Sequence, residues 1–164
     1  MTNKLRITVR TDNYNIPGAL ESGIDVVWPN GRDRLTKGDI VYLIVCEGND
    51  AGYFFGKFEC EMSKSFDKPE DVPGYGDVWA PAVAEKWVND NPNFMKLRLI
   101  TRAHKIIDES GNSVYPGIKG TQHESGITGL SSNDAKELDK YCGEWTDDMA
   151  DRAAADIFNR LSGK

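Results

Sequence analysis

The chain has 164 residues, 39% hydrophobic and 28% charged, with a net charge of -6. That composition supports one globular core without a disulfide or metal staple, and excludes a disordered chain of low hydrophobicity. No run approaches the roughly 18 apolar residues of a membrane span, and residues 1–9 lack the apolar core of a secretory leader, so a cytoplasmic protein with no membrane partner is expected. The acidic balance means that a nucleic-acid role needs a local basic patch. Cys46, Cys60 and Cys142 are odd in number and form no CxxC, which argues against a disulfide framework or zinc site. Cys46 and Cys60 lie in apolar runs and read as core thiols.

Leu5, Ile7 and Val9 alternate with polar residues and predict a half-buried first strand. Residues 12–18 are turn-rich and break it. Trp28 stands just before Pro29-Asn30-Gly31, a turn that puts it at a strand end. The turn Lys37-Gly38-Asp39 leads into the apolar run 40–45, the expected central strand buried on both faces. After a loop, residues 53–62 alternate. Phe54, Phe58, Cys60 and Met62 are expected on one face, and Phe55, Lys57, Glu59 and Glu61 on the other. Residues 63–78 form a long Pro/Gly/Asp-rich segment, the kind that carries function in a compact domain. A short helix carrying Trp87 is expected over 80–88, and a strand over 96–106. Ser131 to Asp134 is a capping signal for a helix running toward Tyr141, with Gly143 suited to its end. Thr146 opens a further helix with Met149, Ala153, Ile157 and Leu161 on one stripe. The fold class expected is α+β: a curved sheet or partial β-barrel with flanking helices, two of them C-terminal. Residues 1–145 form the domain, and 146–164 an amphipathic helix packed on it or extending it.

Signatures of phosphate-loop, dinucleotide, zinc-protease, serine-hydrolase and kinase chemistry are absent. His104 alternates along a strand with Arg102 and Ile106, so a structural role fits it. His123, in the polar stretch Gly120-Thr-Gln-His-Glu124, reads as a loop histidine, because a catalytic histidine needs a positioned partner. No spacing marks a metal cluster. The expectation is a chain without catalytic residues, cofactor or metal. What stands out is aromatic residues beside Pro or Gly: Trp28, Tyr75 and Trp79. Each can fold back on the core, but together they make a stacking pocket for a flat ligand plausible. Asn30, Arg32, Arg34 and Lys37 lie near Trp28 as one basic group, and Lys96, Arg98, Arg102 and Lys105 form a second.

Three segments in this order, residues 23–28, 37–45 and 51–63, resemble the YTH and EVE branches of the PUA-like superfamily. Gly23-Ile-Asp-Val-Val-Trp28 is similar to the segment that supplies a cage wall in YTH domains. Ala51-Gly-Tyr-Phe-Phe-Gly-Lys-Phe58 is similar to their hairpin, and Lys37-Gly-Asp39 to the corresponding turn of EVE domains. Ile127 to Leu138 is similar to the Ser-capped helix that ends EVE-like domains. The resemblance covers residues 4–140, by order and pattern more than by identity. It implies a curved sheet or partial barrel that flips a modified base, methylated adenine or modified cytosine, into an aromatic cage. On this sequence Trp28 matches the first wall. Trp79 is the favoured second wall, with Trp87 and Tyr75 as alternatives.

Physical chemistry fills in the remainder of such a site. Asn30 suits the base edge, and Arg32, Arg34 and Lys57 suit phosphates. The partner expected is a nucleic acid with a modified base, DNA in a restriction or defence setting, with a nuclease or motor subunit alongside. Two alternatives stand beside this. One is an ASCH-like nuclease or amidohydrolase using Thr121, His123, Glu124 and nearby lysines. The other is a sensor of a small ligand or free nucleotide.

Overall fold

In the computed structural model, which describes residues 3–31, 34–46, 53–104, 106–107, 113–114 and 126–143, the apolar run at 40–45 lies inside a six-stranded mixed sheet. The elements in chain order are β1 (Lys4–Arg10), α1 (Ile16–Glu21), β2 (Val26–Pro29), β3 (Ile40–Cys46) and β4 (Tyr53–Ser65). A 3-10 turn at Pro69–Asp71 leads to α2 (Pro81–Asp90) and β5 (Asn93–Arg102). Then follow β6 (Ile106–Ile107), β7 (Ser113–Val114), β8 (Gly126–Gly129) and α3 (Ser132–Asp139). The large sheet runs β2-β5-β4-β3-β1-β8, and β6 pairs with β7 alone. β1 and β3 are parallel, and every other neighbour pair is antiparallel. The α+β class, with a strongly curled sheet and flanking helices, is as expected. The C-terminal helix expected over 146–164 lies outside the described residues.

The sheet has an apolar layer on each face. Ile7, Val9, Val41, Leu43, Val45, Phe55, Phe58, Cys60, Phe94 and Leu97 form one core with residues of α1, β2 and α2. Tyr42, Ile44 and Phe54 form a second with Ala135 and Leu138 of α3 and with Tyr141. β3 supplies both layers from alternate positions, as a strand buried on both faces must. Ser131 caps α3 by accepting from the Asp134 N–H at 3.1 Å.

The alternation expected along β4 fails at two places: at Glu61, an extra residue opposite β5 that leaves Met62 exposed instead of beside Cys60, and earlier, opposite β3. The register steps from Leu43↔Gly56 to Ile44↔Phe54, so Phe55 is an extra, bulged residue. Phe54 thereby joins the α3 layer and Phe55 joins Phe58 and Cys60, the reverse of strict alternation. Two further register shifts, at Lys57/Phe58 and Cys60/Met62, separate β4 from β5. Bulges bend strands and increase their twist. Two extra residues on β4, Phe55 and Glu61, and one on β5, Ile100, accompany the strong curl of the sheet. Residues 12–18 hold more order than a turn, because α1 starts at Ile16. The Asn15 side chain accepts from the Gly18 N–H at 3.1 Å, and Pro17 stands in the first turn.

Gly56 sits at the bulge, where the neighbouring strand approaches closely. A Cβ there would lie 2.5 Å from the Thr101 carbonyl oxygen. Gly56→Ala therefore has to push two paired backbones apart. It is expected to lower unfolding free energy by about 1–3 kcal/mol in denaturant titration.

Candidate binding pocket

β2 and β8 are the outermost strands of the sheet, yet Trp28 and Pro29 of β2 and Ile127 of β8 line one cavity of about 860 Å³. The curl brings the two sheet edges to a common seam. Arg34 spans it, its Nη1 donating to the Ile127 carbonyl oxygen at 2.6 Å. α2 forms another side with Val83, Lys86, Trp87 and Asp90, whose spacing of three, four and seven puts them on one helical face. The volume lies within the roughly 300–1,000 Å³ of small-molecule sites.

Trp28, Trp79 and Trp87 all line this cavity, together with Tyr14, but they do so differently. Trp79 is 2% exposed and stacks on Tyr14, with ring centroids 3.7 Å apart and planes at 12°. Phe94 meets Trp79 edge-on. The loop setting that made Trp79 look like an open wall is a fold-back. Gly74 and Gly76 have φ of +80°, and the Gly76 N–H donates to the Trp79 carbonyl. The Ala80 N–H donates to the Asn13 carbonyl and the Asn15 N–H to that of Val78, which pins the segment over Tyr14. Trp28 is 7% exposed, with its ring centroid 6.4 Å from that of Tyr14. Trp87 is 40% exposed and is the open ring of the three. The Lys86 Nζ lies 5.9 Å from its centroid. Tyr75 is not among the lining residues, and its hydroxyl donates to Glu85 Oε1 at 3.0 Å.

Burial pushes the Tyr14 hydroxyl pKa up, against the backbone N–H of Val27 and the Trp79 indole, which favour its anion. The hydroxyl accepts from the Val27 N–H at 3.1 Å, which locks the ring beneath β2. The Trp79 Nε1 is near but makes no hydrogen bond of acceptable geometry.

Three carboxamides line the cavity, and two are engaged in holding the chain. Asn30 Nδ2 donates to the Leu35 carbonyl at 2.9 Å, and its Oδ1 accepts from the Leu35 N–H at 2.9 Å. Both ends of the side chain close the loop after β2, so Asn30 acts as a clasp. Asn91 Nδ2 donates to the Gly31 carbonyl, and its Oδ1 accepts from the Asn93 N–H. Asn13 is different: among the described residues its side chain carries no hydrogen bond. Sequence reading passed over Asn13 as one residue of a turn. Its position directly before the buried Tyr14 was the signal that could have found it.

The basic residues expected to meet phosphates separate. Arg34 is at the seam, and Arg32 lies outside the described residues. Lys57 is not at the cavity. It pairs across the sheet with Tyr42, on the α3 side, with its Nζ 3.0 Å from Asp139 Oδ1 and 5.3 Å from the Tyr42 ring centroid. Tyr42 donates to the same carboxylate at 2.8 Å, so this cluster fastens α3 to the sheet. His104 meets the Gly143 carbonyl and donates its backbone N–H to Tyr141, beside that cluster. His123, Glu124 and Thr121 lie outside the described residues. Burial pushes the Cys60 thiol up to about 12 and Cys142 to about 11, so neither is a thiolate at neutral pH. Among the described residues no group of His, Cys, Asp and Glu could hold a metal ion, and no helix is long and apolar enough to cross a membrane.

In comparisons with known proteins, neither a family model nor a curated protein sequence matches the chain.

The clasp assigned to Asn30 has a measurable consequence. Asn30→Ala leaves the buried Leu35 N–H and C=O without partners. It is expected to cost about 1–3 kcal/mol of stability in denaturant unfolding, whether or not a ligand is present.

Proposed function

We propose that the cavity binds a nucleobase, a modified one by the resemblance to YTH and EVE domains, and binds it without chemical change. The observation that carries this reading is the cavity itself. It sits at the seam of the curled sheet, has buried aromatic rings at Trp28, Tyr14 and Trp79, and an exposed ring at Trp87. A base is flat and largely apolar on its faces and polar at its edge. Trp87 offers a face for stacking, and the Asn13 carboxamide offers one donor and one acceptor to the edge. Arg34 and Lys86, both lining residues, offer positive charge to a phosphate attached to that base. A base drawn from a strand is extruded at a cost of a few kcal/mol, which stacking and the edge contacts must offset. On this reading the protein is a cytoplasmic reader of nucleic acid, and cleavage or translocation belongs to a partner.

Trp87 is the residue to substitute. Removing Trp28 or Trp79 empties the core and lowers stability by about 3–5 kcal/mol, which confounds any binding assay. Trp87 is exposed enough to lose without that. The assay is a panel of short single- and double-stranded oligonucleotides carrying N6-methyladenine, 5-methylcytosine, 5-hydroxymethylcytosine or no modification, read by tryptophan fluorescence. The expected outcome is a preference for one modification, weakened about 5- to 150-fold in Trp87→Ala at unchanged unfolding midpoint. Equal binding to every oligonucleotide, unaffected by the substitution, would overturn the reading.

A further inference from the structure

The charges around the cavity limit how much of a nucleic acid can contribute to binding. Among the described lining residues the cations are Arg34 and Lys86, and Asp90 stands on the same helical face as Lys86. The described residues of the rim therefore carry two positive charges and one negative. Beyond the rim, Lys57 and the described cations of the second basic group are engaged elsewhere. Lys96 lies 3.9 Å from Asp25 and 3.8 Å from Glu61, and Arg98 lies 3.3 Å from Glu59. Arg102 sits 4.0 Å over the Phe55 ring, and Lys57 is held by Asp139. A strand leaving the cavity across this sheet meets neutralised pairs, on a chain of net charge -6. Each further phosphate then adds repulsion or nothing, where a nucleic-acid track would add attraction.

We infer that the recognised unit is a single nucleotide: the base in the cavity, its own phosphate at Arg34 and Lys86, and no favourable contact to flanking nucleotides. This rests on the nucleobase reading above and sharpens it. A free nucleoside 5′-monophosphate presents the same base, with a phosphate at least as charged as that of the same nucleotide within a strand, so length should not raise affinity. The salt dependence should be equally shallow. One neutralised phosphate on a single strand gives a slope of about -0.7 in log affinity against log salt, so a fourfold rise in salt weakens binding about 2.6-fold. A track of six contacts would weaken it several hundredfold, by a slope of about -4.

The test measures affinities by calorimetry for 5′-monophosphates of adenine, N6-methyladenine, cytosine, 5-methylcytosine and 5-hydroxymethylcytosine. Each is compared with the same base at the centre of a trinucleotide, of a single strand of roughly fifteen nucleotides, and of the corresponding duplex. The expected result is that the preferred monophosphate binds within about fivefold of its strand, and the strand shows the shallow slope. Lys86→Gln, a change at an exposed side chain, should weaken monophosphate and strand by the same factor. A strand or duplex that binds more than about fivefold tighter than its monophosphate, or a slope near -4, would overturn the single-nucleotide inference while leaving the nucleobase reading intact. Absence of binding to every monophosphate and every strand would overturn both.

Discussion

A sheet whose two outermost strands have to reach one cavity has to curl, and here the curl arises where β3, β4 and β5 meet. The bulge at Phe55 and the two register shifts between β4 and β5 bend the middle of the sheet, and Gly56 admits the close approach of Thr101 that the bend requires. Were these strands paired in plain register, β2 and β8 would stand five strand spacings apart. Arg34 would not reach the Ile127 carbonyl, and Trp28 would have no opposite wall.

The same curl divides the aromatic residues by role. Rings on the inner layer are compressed together, so Tyr14, Trp28, Trp79 and Phe94 form a contiguous set of ring contacts that belongs as much to the core as to the cavity. α2 lies across this set and supplies the side that faces solvent, with Trp87 at its edge. The cavity is thus walled by buried core rings on the sheet side and by the exposed Trp87 on the helix side. A flat ligand entering between them would meet a preformed surface and lose little in ordering it. On the other sheet face the Tyr42–Asp139–Lys57 cluster fixes α3, and so steadies β3 from behind.

Much of the fold was legible because it follows from period and punctuation. The apolar run 40–45 reads as a central strand and is one, and the Ser131 cap and the helix over 81–90 follow local rules. What was not legible depends on contacts distant in sequence. Strict alternation assigns Phe54 and Phe55 to the wrong layers because one bulged residue inverts the parity upstream of it. Trp79 reads as a loop residue and is packed on Tyr14, because positive-φ glycines return its loop to a segment far behind it in the chain. Trp28, Trp79, Trp87, Asn30 and Arg34 are gathered at one cavity. Yet Asn30 is there as a clasp, Lys57 and Tyr75 are elsewhere, and Asn13 joins from a turn that composition alone does not single out.

The central claim is that the seam cavity holds a nucleobase, and the most direct measurement watches the rings that line it. The chain has four tryptophans, so its indole N–H signals are few enough to assign and follow by heteronuclear NMR while free nucleosides of the modified and unmodified bases are added. The account predicts that the Trp28 and Trp87 signals move together along one saturating curve for a preferred nucleoside, as a ring placed between β2 and α2 requires. Trp28 and Trp87 signals that stay fixed with every nucleoside, while resonances of the α3 face move, would contradict it.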